Sequence, residues 1–462
     1  MEARYKPYSE YKDSTIEWLR EIPAHWDVSK LRYIFSFGKG LGITKENLLD
    51  DGVFCVNYGE VHSKYGFELD PSIHQLKCVS EDYLVSSQSA LLLKGDLVFA
   101  DTSEDIDGSG NFTQLTTDHV VFSGYHTIIA RPSDRQCSRF YAYLFDSREF
   151  RTQIRYAVKG VKVFSITQAI LRGVNIWLPT LDERQKITNF LDHETAKIDT
   201  LIEKQQQLIQ LLKEKRQAVI SHAVTKGLNP KVKMRDSGVE WLGEVPEHWK
   251  VSKFGYVSMV VRGGSPRPAG DPELFNGDYS PWVTVAEITK DGEVYLTETE
   301  TFLTKKGSEQ CRVFSSGTLL ISNSGATLGV PKILSINANA NDGVVGFENL
   351  KLDHEFSYFY LSTLTDDLRE RIKQGSGQPN LNTDIVKNIA VPIPPKSEIS
   401  EIVTLIRNIR EQYANLTTRA TAAIELLQER RTALISAAVT GKIDIRNWVA
   451  PKESQTNKEV AA

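Results

Sequence analysis

The stretch DSTIEWLREIPAHWDVSK at residues 13–30 returns as DSGVEWLGEVPEHWKVSK at residues 236–253. Twelve of the eighteen aligned positions are identical. They include Trp18 and Trp26 with Trp241 and Trp249, Pro23 with Pro246, His25 with His248, and Lys30 with Lys253. A second block, LKEKRQAVISHAVTKG (212–227), matches LQERRTALISAAVTGK (427–442). It pairs Glu214 with Glu429, Arg216 with Arg431, Ser221 with Ser436 and Thr225 with Thr440. The same offset of 215 residues aligns Gly160 with Gly375, Pro179 with Pro394 and Glu183 with Glu398. Self-similarity at a fixed offset decides architecture before any local pattern does. The chain is two tandem halves, alike at both ends and divergent over about 150 residues between them. That pattern suggests one scaffold holding two different readers.

Each half closes on a segment that reads as a long helix, over about 182–226 and 396–440. Neither contains Pro, and Gly comes only at the last turn. Ile187, Leu191, Ile198, Leu201, Gln205, Leu208, Leu212 and Val219 recur at three- and four-residue spacing. Ile402, Leu405, Ile409, Leu416, Ala420, Ala423, Leu427 and Leu434 do the same in the second segment. Pro179 and Pro394–Pro395 lie just before the helices, and Gly227 and Gly441 follow them. A lone striped helix of about 42 residues, roughly 60 Å long, needs a partner. The other copy is the expected one, in an antiparallel coiled coil. The divergent middles, 28–178 and 251–393, read as mixed β with a few helices. Short apolar runs such as Leu97–Ala100, Thr127–Ala130 and Thr318–Ser322 are bounded there by Gly, Asp and Ser. The fold class is therefore α+β with an internal pseudo-two-fold repeat. The final PKESQTNKEVAA (451–462) reads as disordered.

The totals limit the function. The chain has 462 residues, enough for about three structural units. Its 55 Lys plus Arg against 59 Asp plus Glu leave a net charge of −4, which excludes a bulk polycation that coats nucleic acid by charge alone. Cys55, Cys78, Cys137 and Cys311 have neither metal nor redox spacing. The opening residues lack a signal peptide's apolar core, and no apolar run approaches a membrane span. A cytoplasmic, non-membrane protein is expected.

Catalytic signatures are absent from the sequence. FGKGLG (37–42) lacks the G-x-G-x-x-G spacing of a dinucleotide loop and reads as a turn. No P-loop and no Asn-Pro-Pro-Tyr-type tetrapeptide occurs. DTSED (101–105) reads as a polar loop rather than a metal site. His25 and His248 recur in both halves, which points to a structural role.

Three pairs of matched loops carry candidate DNA-contacting residues. Lys39-Gly40 falls opposite Arg262-Gly263, and the second copy extends to RGGSPRP (262–268) with Ser265 and Arg267. Glycine lets backbone amides approach phosphate, and arginine can pair bidentately with guanine. GDLVFADTSED (95–105) falls opposite GTLLISNSGAT (317–327). Each of those is an apolar strand that empties into a polar loop, with Thr102 and Ser103 in one and Asn323 and Ser324 in the other. Asn can read adenine, and Ser or Thr can contact bases or phosphates. KGVKVFSIT (159–167) and QGSGQPNLN (374–382) precede the helices and offer Lys162, Gln378 and Asn380.

Four features together resemble the specificity subunit of Type I restriction–modification systems. They are DSGVEWLGEVPEHWKV (236–251), the P-x-x-x-E ahead of each long helix, RxALISxAVTGKID (431–444) and DIRNW (444–448). The resemblance spans essentially the whole chain. It implies target recognition domains over 1–180 and 229–394, conserved helices over 181–228 and 395–442, and a tail over 443–462. It implies that each domain reads one half of a split double-stranded DNA sequence. The helices would set the spacer and dock two methyltransferase (M) subunits. Those partners would bind S-adenosylmethionine and methylate adenine by base flipping. Restriction/translocase (R) subunits would use ATP and Mg²⁺. The chain itself would be non-catalytic and hold no cofactor. Readers on one face of DNA sit about one helical turn apart, roughly 34 Å. The alternatives are an interaction scaffold without a DNA role and a fused restriction/methylation enzyme. Thr15 and Arg20 stand where the second copy has Gly238 and Gly243, in turns expected to be exposed.

Overall fold

The structure is a computed structural model that describes residues 5–158, 163–325, 327–370 and 380–451. The tail from 452 onward lies outside the described residues. The chain divides into two compact units: residues 1–205 with 422–462, and residues 206–421. The two long helices run Leu181–Lys226 and Lys396–Val439. Each crosses the unit boundary, so each unit holds the start of one helix and the end of the other.

In the first unit, a five-stranded sheet has the order 35–39, 127–132, 97–100, 112–115, 67–69. Every neighbouring pair is antiparallel except the last, which is parallel. Leu97–Ala100 is buried along its whole length. Its side chains alternate between two cores: Leu97 and Phe99 face one, Val98 and Ala100 the other. A strand covered on both faces reads as an unbroken apolar run, which is how this one appears in the sequence. A four-stranded sheet follows the order 77–79, 53–56, 121–123, 91–92, with antiparallel, parallel and antiparallel pairs.

The second unit repeats both sheets despite its different sequence. Its five strands run 259–262, 344–348, 319–322, 331–334, 295–296, and again only the last pair is parallel. Its four strands run 302–303, 275–283, 338–340, 313–314, in the same senses as the first unit's. Leu319 and Ile321 face one core and Leu320 the other.

The repeated opening motif closes a latch on each long helix. His25 Nε2 lies 2.9 Å from both carboxylate oxygens of Glu183, at the start of the first helix. Trp26 is fully buried, and its indole N–H donates to the same carboxylate at 3.5 Å. In the second unit His248 and Trp249 donate to Glu398 at 2.7 and 2.9 Å. The other side of each tryptophan is covered by the end of the other long helix. Gly441 lies against Pro23 and Trp26, and Gly227 lies against Trp249 and Pro246. The helices are therefore antiparallel within each unit.

The central part of the helix stripe is less covered than its periodicity predicts. Ile187, Leu191 and Ile198 are buried, but Leu201, Leu208, Leu405 and Leu416 are exposed. Two helices alone shield only a narrow seam, and full burial comes where a recognition domain adds a third surface. Thr15 and Arg20 are exposed, with φ of 60° and 59°, the left-handed conformation that Gly238 and Gly243 adopt in the second unit. Beyond the second helix, Ile445 is buried and Trp448 meets Phe190 edge-on, with ring centroids 5.4 Å apart. No helix among the described residues is long and apolar enough to cross a membrane.

One pair of contacts has reversed polarity between the units. In the first, Arg139 on a domain helix meets Asp192 on the long helix at 3.1 Å. In the second, the matched positions hold Glu355 and Arg407, 2.7 Å apart. Asp192 and Arg407 are related by the 215-residue offset.

Two measurements test this scaffold. Burial opposes ionisation of Glu183, but the hydrogen bond and charge of His25, with donors from Trp26 and Thr180, hold its carboxyl below the ordinary range. Its stabilisation is complete above the ordinary carboxylate pKa and is lost as pH falls through the depressed value. Glu183→Gln should lower stability at pH 7 by about 1–3 kcal/mol. It should also flatten the fall of Tm on acidification below about 4.5, the unshifted value. For the reversed pair, Glu355→Arg should destabilise by roughly 3 kcal/mol, because it sets like charges together at a largely buried position. Adding Arg407→Glu should recover at least half of that loss in Tm.

Candidate nucleic-acid interface

Each unit joins four loops at one end of its sheets. In the first unit, Gly40 N–H donates to Thr127 O at 3.3 Å and Leu41 N–H to Ser123 O at 2.8 Å. Asp101 N–H donates to His126 O at 3.1 Å, and Ile166 N–H to Asp101 O at 2.8 Å. The second unit makes the same four bonds. Gly263 N–H donates to Val344 O and Gly264 N–H to Ala340 O, both at 2.9 Å. Asn323 N–H donates to Gly343 O at 2.9 Å, and Leu381 N–H to Asn323 O at 2.8 Å. Thr102 pairs with Ser165 as Ser324 pairs with Asn380. Glycine is required where the first loop crosses the turn at 124–126 or 341–343. A Cβ on Gly40 would come 1.9 Å from Gly124 O, and one on Gly263 would come 2.3 Å from Asn341 O.

The backbone weave is shared and the side chains on it are not. The first unit offers Lys39, exposed at the end of a strand, and the half-buried Thr102. Ser103 is buried; it donates to Asp105 O at 2.6 Å and contacts His62 Nε2 at 3.0 Å. It supports its loop rather than facing a ligand. Lys162 lies outside the described residues.

In the second unit three of the candidates, Arg262, Ser265 and Asn323, converge on the 341–343 turn. Arg262 Nε donates to Asp342 O and Ser265 Oγ to Asp342 Oδ1, both at 2.7 Å. Arg267 is exposed, and its backbone N–H donates to Gln310 Oε1 at 2.9 Å. The Ser265 hydroxyl holds the Asp342 carboxyl below the usual carboxylate range against partial burial, with help from the charges of Arg262 and Arg267. Asn323 is fully buried and, like Ser103, turns inward: its amide N–H donates to Asp342 O at 3.1 Å. Ser324 is half-buried and Asn380 exposed. Gln378 lies outside the described residues.

The turn itself, Gly124–His126 in one unit and Asn341–Gly343 in the other, escaped the sequence reading. It carries no Lys or Arg and no glycine-rich run. The available signal was in the second unit alone, an Asn-Asp-Gly sequence between two short apolar runs, which is a turn signature in any β protein. His126 is exposed there, its Nδ1 3.2 Å from Asp101 Oδ1 and its ring edge-on to Tyr58 and Tyr125. The surface can present charged, amide, hydroxyl and imidazole groups on rigid backbone, the groups that contact phosphates and base edges.

Comparison with known proteins places the chain in a family. A model described as the Type I restriction modification DNA specificity domain matches residues 23–211 and again 246–426. The MjaIX specificity subunit of a type I restriction enzyme from Methanocaldococcus jannaschii is 26% identical over 170 residues. That match spans 36% of this chain and 38% of that relative, little more than a third of its length. The StySPI specificity subunit from Salmonella potsdam is 20% identical over 92% of this chain and 90% of its own length. The EcoKI specificity subunit from Escherichia coli K12 is 24% identical over 96% and 94%. A solved structure on the complex assembly and conformational transition of the type I R-M system has a TM-score of 0.67 at 16% identity. It covers 91% of this chain and 99% of that one, a likeness of fold. With both of its halves matched over most of their length, the chain belongs to the Type I restriction modification DNA specificity domain family.

Proposed function

We propose that this chain is the sequence-reading subunit of a Type I restriction–modification complex, each unit recognising one half of a bipartite double-stranded DNA target. One observation carries this reading: the same four-bond loop weave in both units presents different side chains, within a DNA specificity domain that occurs twice. Lys39 and Thr102 against Arg262, Ser265, Arg267 and Asn380 favour unlike half-sites. The chain contributes recognition and no chemistry. Two methyltransferase subunits dock on the helices, carry the S-adenosylmethionine and flip the target adenine. Restriction/translocase subunits, where present, use ATP and Mg²⁺ in the same cytoplasmic complex. Those partners also supply phosphate contacts, which makes the net charge of −4 tolerable on a DNA reader.

The test is co-expression with the cognate methyltransferase subunits, followed by mapping of methylated adenines across a genome. The expected result is one asymmetric two-part motif with a fixed gap. Replacing residues 28–178 with the matching segment of a relative should then change one half only. A stable complex that adds no methylation, or a replacement that changes both halves, would reject this reading in favour of an interaction scaffold.

A further inference from the structure

We infer that the turn missed by the sequence reading is a specificity determinant of each unit, with His126 and Asp342 as the side chains that discriminate bases. This rests on the DNA-reading function proposed above and names the residues that execute it. Three observations lead here. The first is position: of the three loops chosen from sequence in each half, one bonds to the flanks of this turn, one bonds to the turn itself, and the third pairs with the second. The second is presentation. His126 and Asp342 are exposed, yet neither is loose. His126 is held by Asp101 through Nδ1, a contact that does not use Nε2. Asp342 is held by Ser265 through Oδ1, while Arg262 and Asn323 fix its backbone carbonyl. An imidazole nitrogen can contact purine N7 or O6, and a carboxylate can accept from cytosine N4.

The third observation is that both turns are kept against local stability. His126 has φ 55°, a left-handed backbone that non-glycine residues seldom adopt. Asn323, which holds Asp342, has a buried side-chain oxygen without a hydrogen-bond partner. Unfavourable arrangements that occur in one unit and not at the matched place in the other mark sites held for something other than folding.

The experiment uses the complex of the full chain with its methyltransferase subunits. Competition binding compares DNA carrying the native target with DNA carrying each single-base change in either half. The wild-type complex is measured first, and its failure to discriminate would sink the DNA-reading function itself. His126→Asn is the first variant, because Asn tolerates the left-handed backbone. Asp342→Asn is the second, because it keeps the shape. Each should collapse discrimination at one or two positions of one half-site, from roughly 5- to 150-fold toward unity. Discrimination in the other half should stay unchanged, as should Tm. Unaltered ratios at every position would overturn the inference. So would an equal loss of affinity for all sequences, which would make these residues phosphate contacts only. A fall in Tm together with discrimination lost in both halves would also overturn it, by making the turn structural.

Discussion

The carboxylates of Glu183 and Glu398 are the points to which each unit is tied. A carboxylate removed from water must be given donors. For Glu183 those donors are His25 and Trp26, about 157 residues earlier in the chain. Thr180 donates locally, but the carboxylate has its full set of donors only with the opening segment in place. The tryptophan then needs cover on its other side, and the end of the opposite helix supplies it at Gly441. The second unit repeats the device with His248, Trp249, Glu398 and Gly227. Each latch takes the start of one helix and the end of the other. Antiparallel pairing is the arrangement that satisfies both.

This division of labour explains why the two halves agree at their ends and differ between them. The latch needs particular donors, acceptors and close approaches, so its residues recur. The sheets need only apolar side chains on both faces of their central strands. LVFA at 97–100 and LLIS at 319–322 meet that requirement with different residues. The loop weave above the sheets is made of backbone bonds, which are indifferent to side chains except where Gly40 and Gly263 allow contact. Sequence between the latches is thus free to vary while the topology, including the single parallel pair in each larger sheet, is retained.

That same physics sets what could be read from the sequence. Both long helices were legible from periodicity and from their proline and glycine punctuation. The matches Lys39 with Arg262 and Thr102 with Ser324 hold in the structure as equivalent places in the weave. The fate of each side chain was not legible. Ser103 and Asn323 sit next to exposed neighbours but turn inward, because burial in a loop depends on what crosses above it. The exposure of Leu201, Leu208, Leu405 and Leu416 follows from where the recognition domains end, which the helix period does not encode. The reversed bridge, Arg139 to Asp192 against Glu355 to Arg407, was hidden because only one member of each pair lies in the repeated scaffold.

Broken local rules divide by whether the other half breaks them too. Thr15 and Arg20 occupy a left-handed backbone, but so do Gly238 and Gly243 at the matched positions. The conformation there belongs to the scaffold, and the first half merely tolerates costlier residues in it. His126 differs. Its counterpart in the weave is Gly343, which is not left-handed even though glycine could be at no cost. The strain at His126 is therefore peculiar to one reader and is not demanded by the shared fold. An internal repeat provides its own control in this way: strain that appears in both copies reports on folding, and strain that appears in one reports on what that copy alone must do.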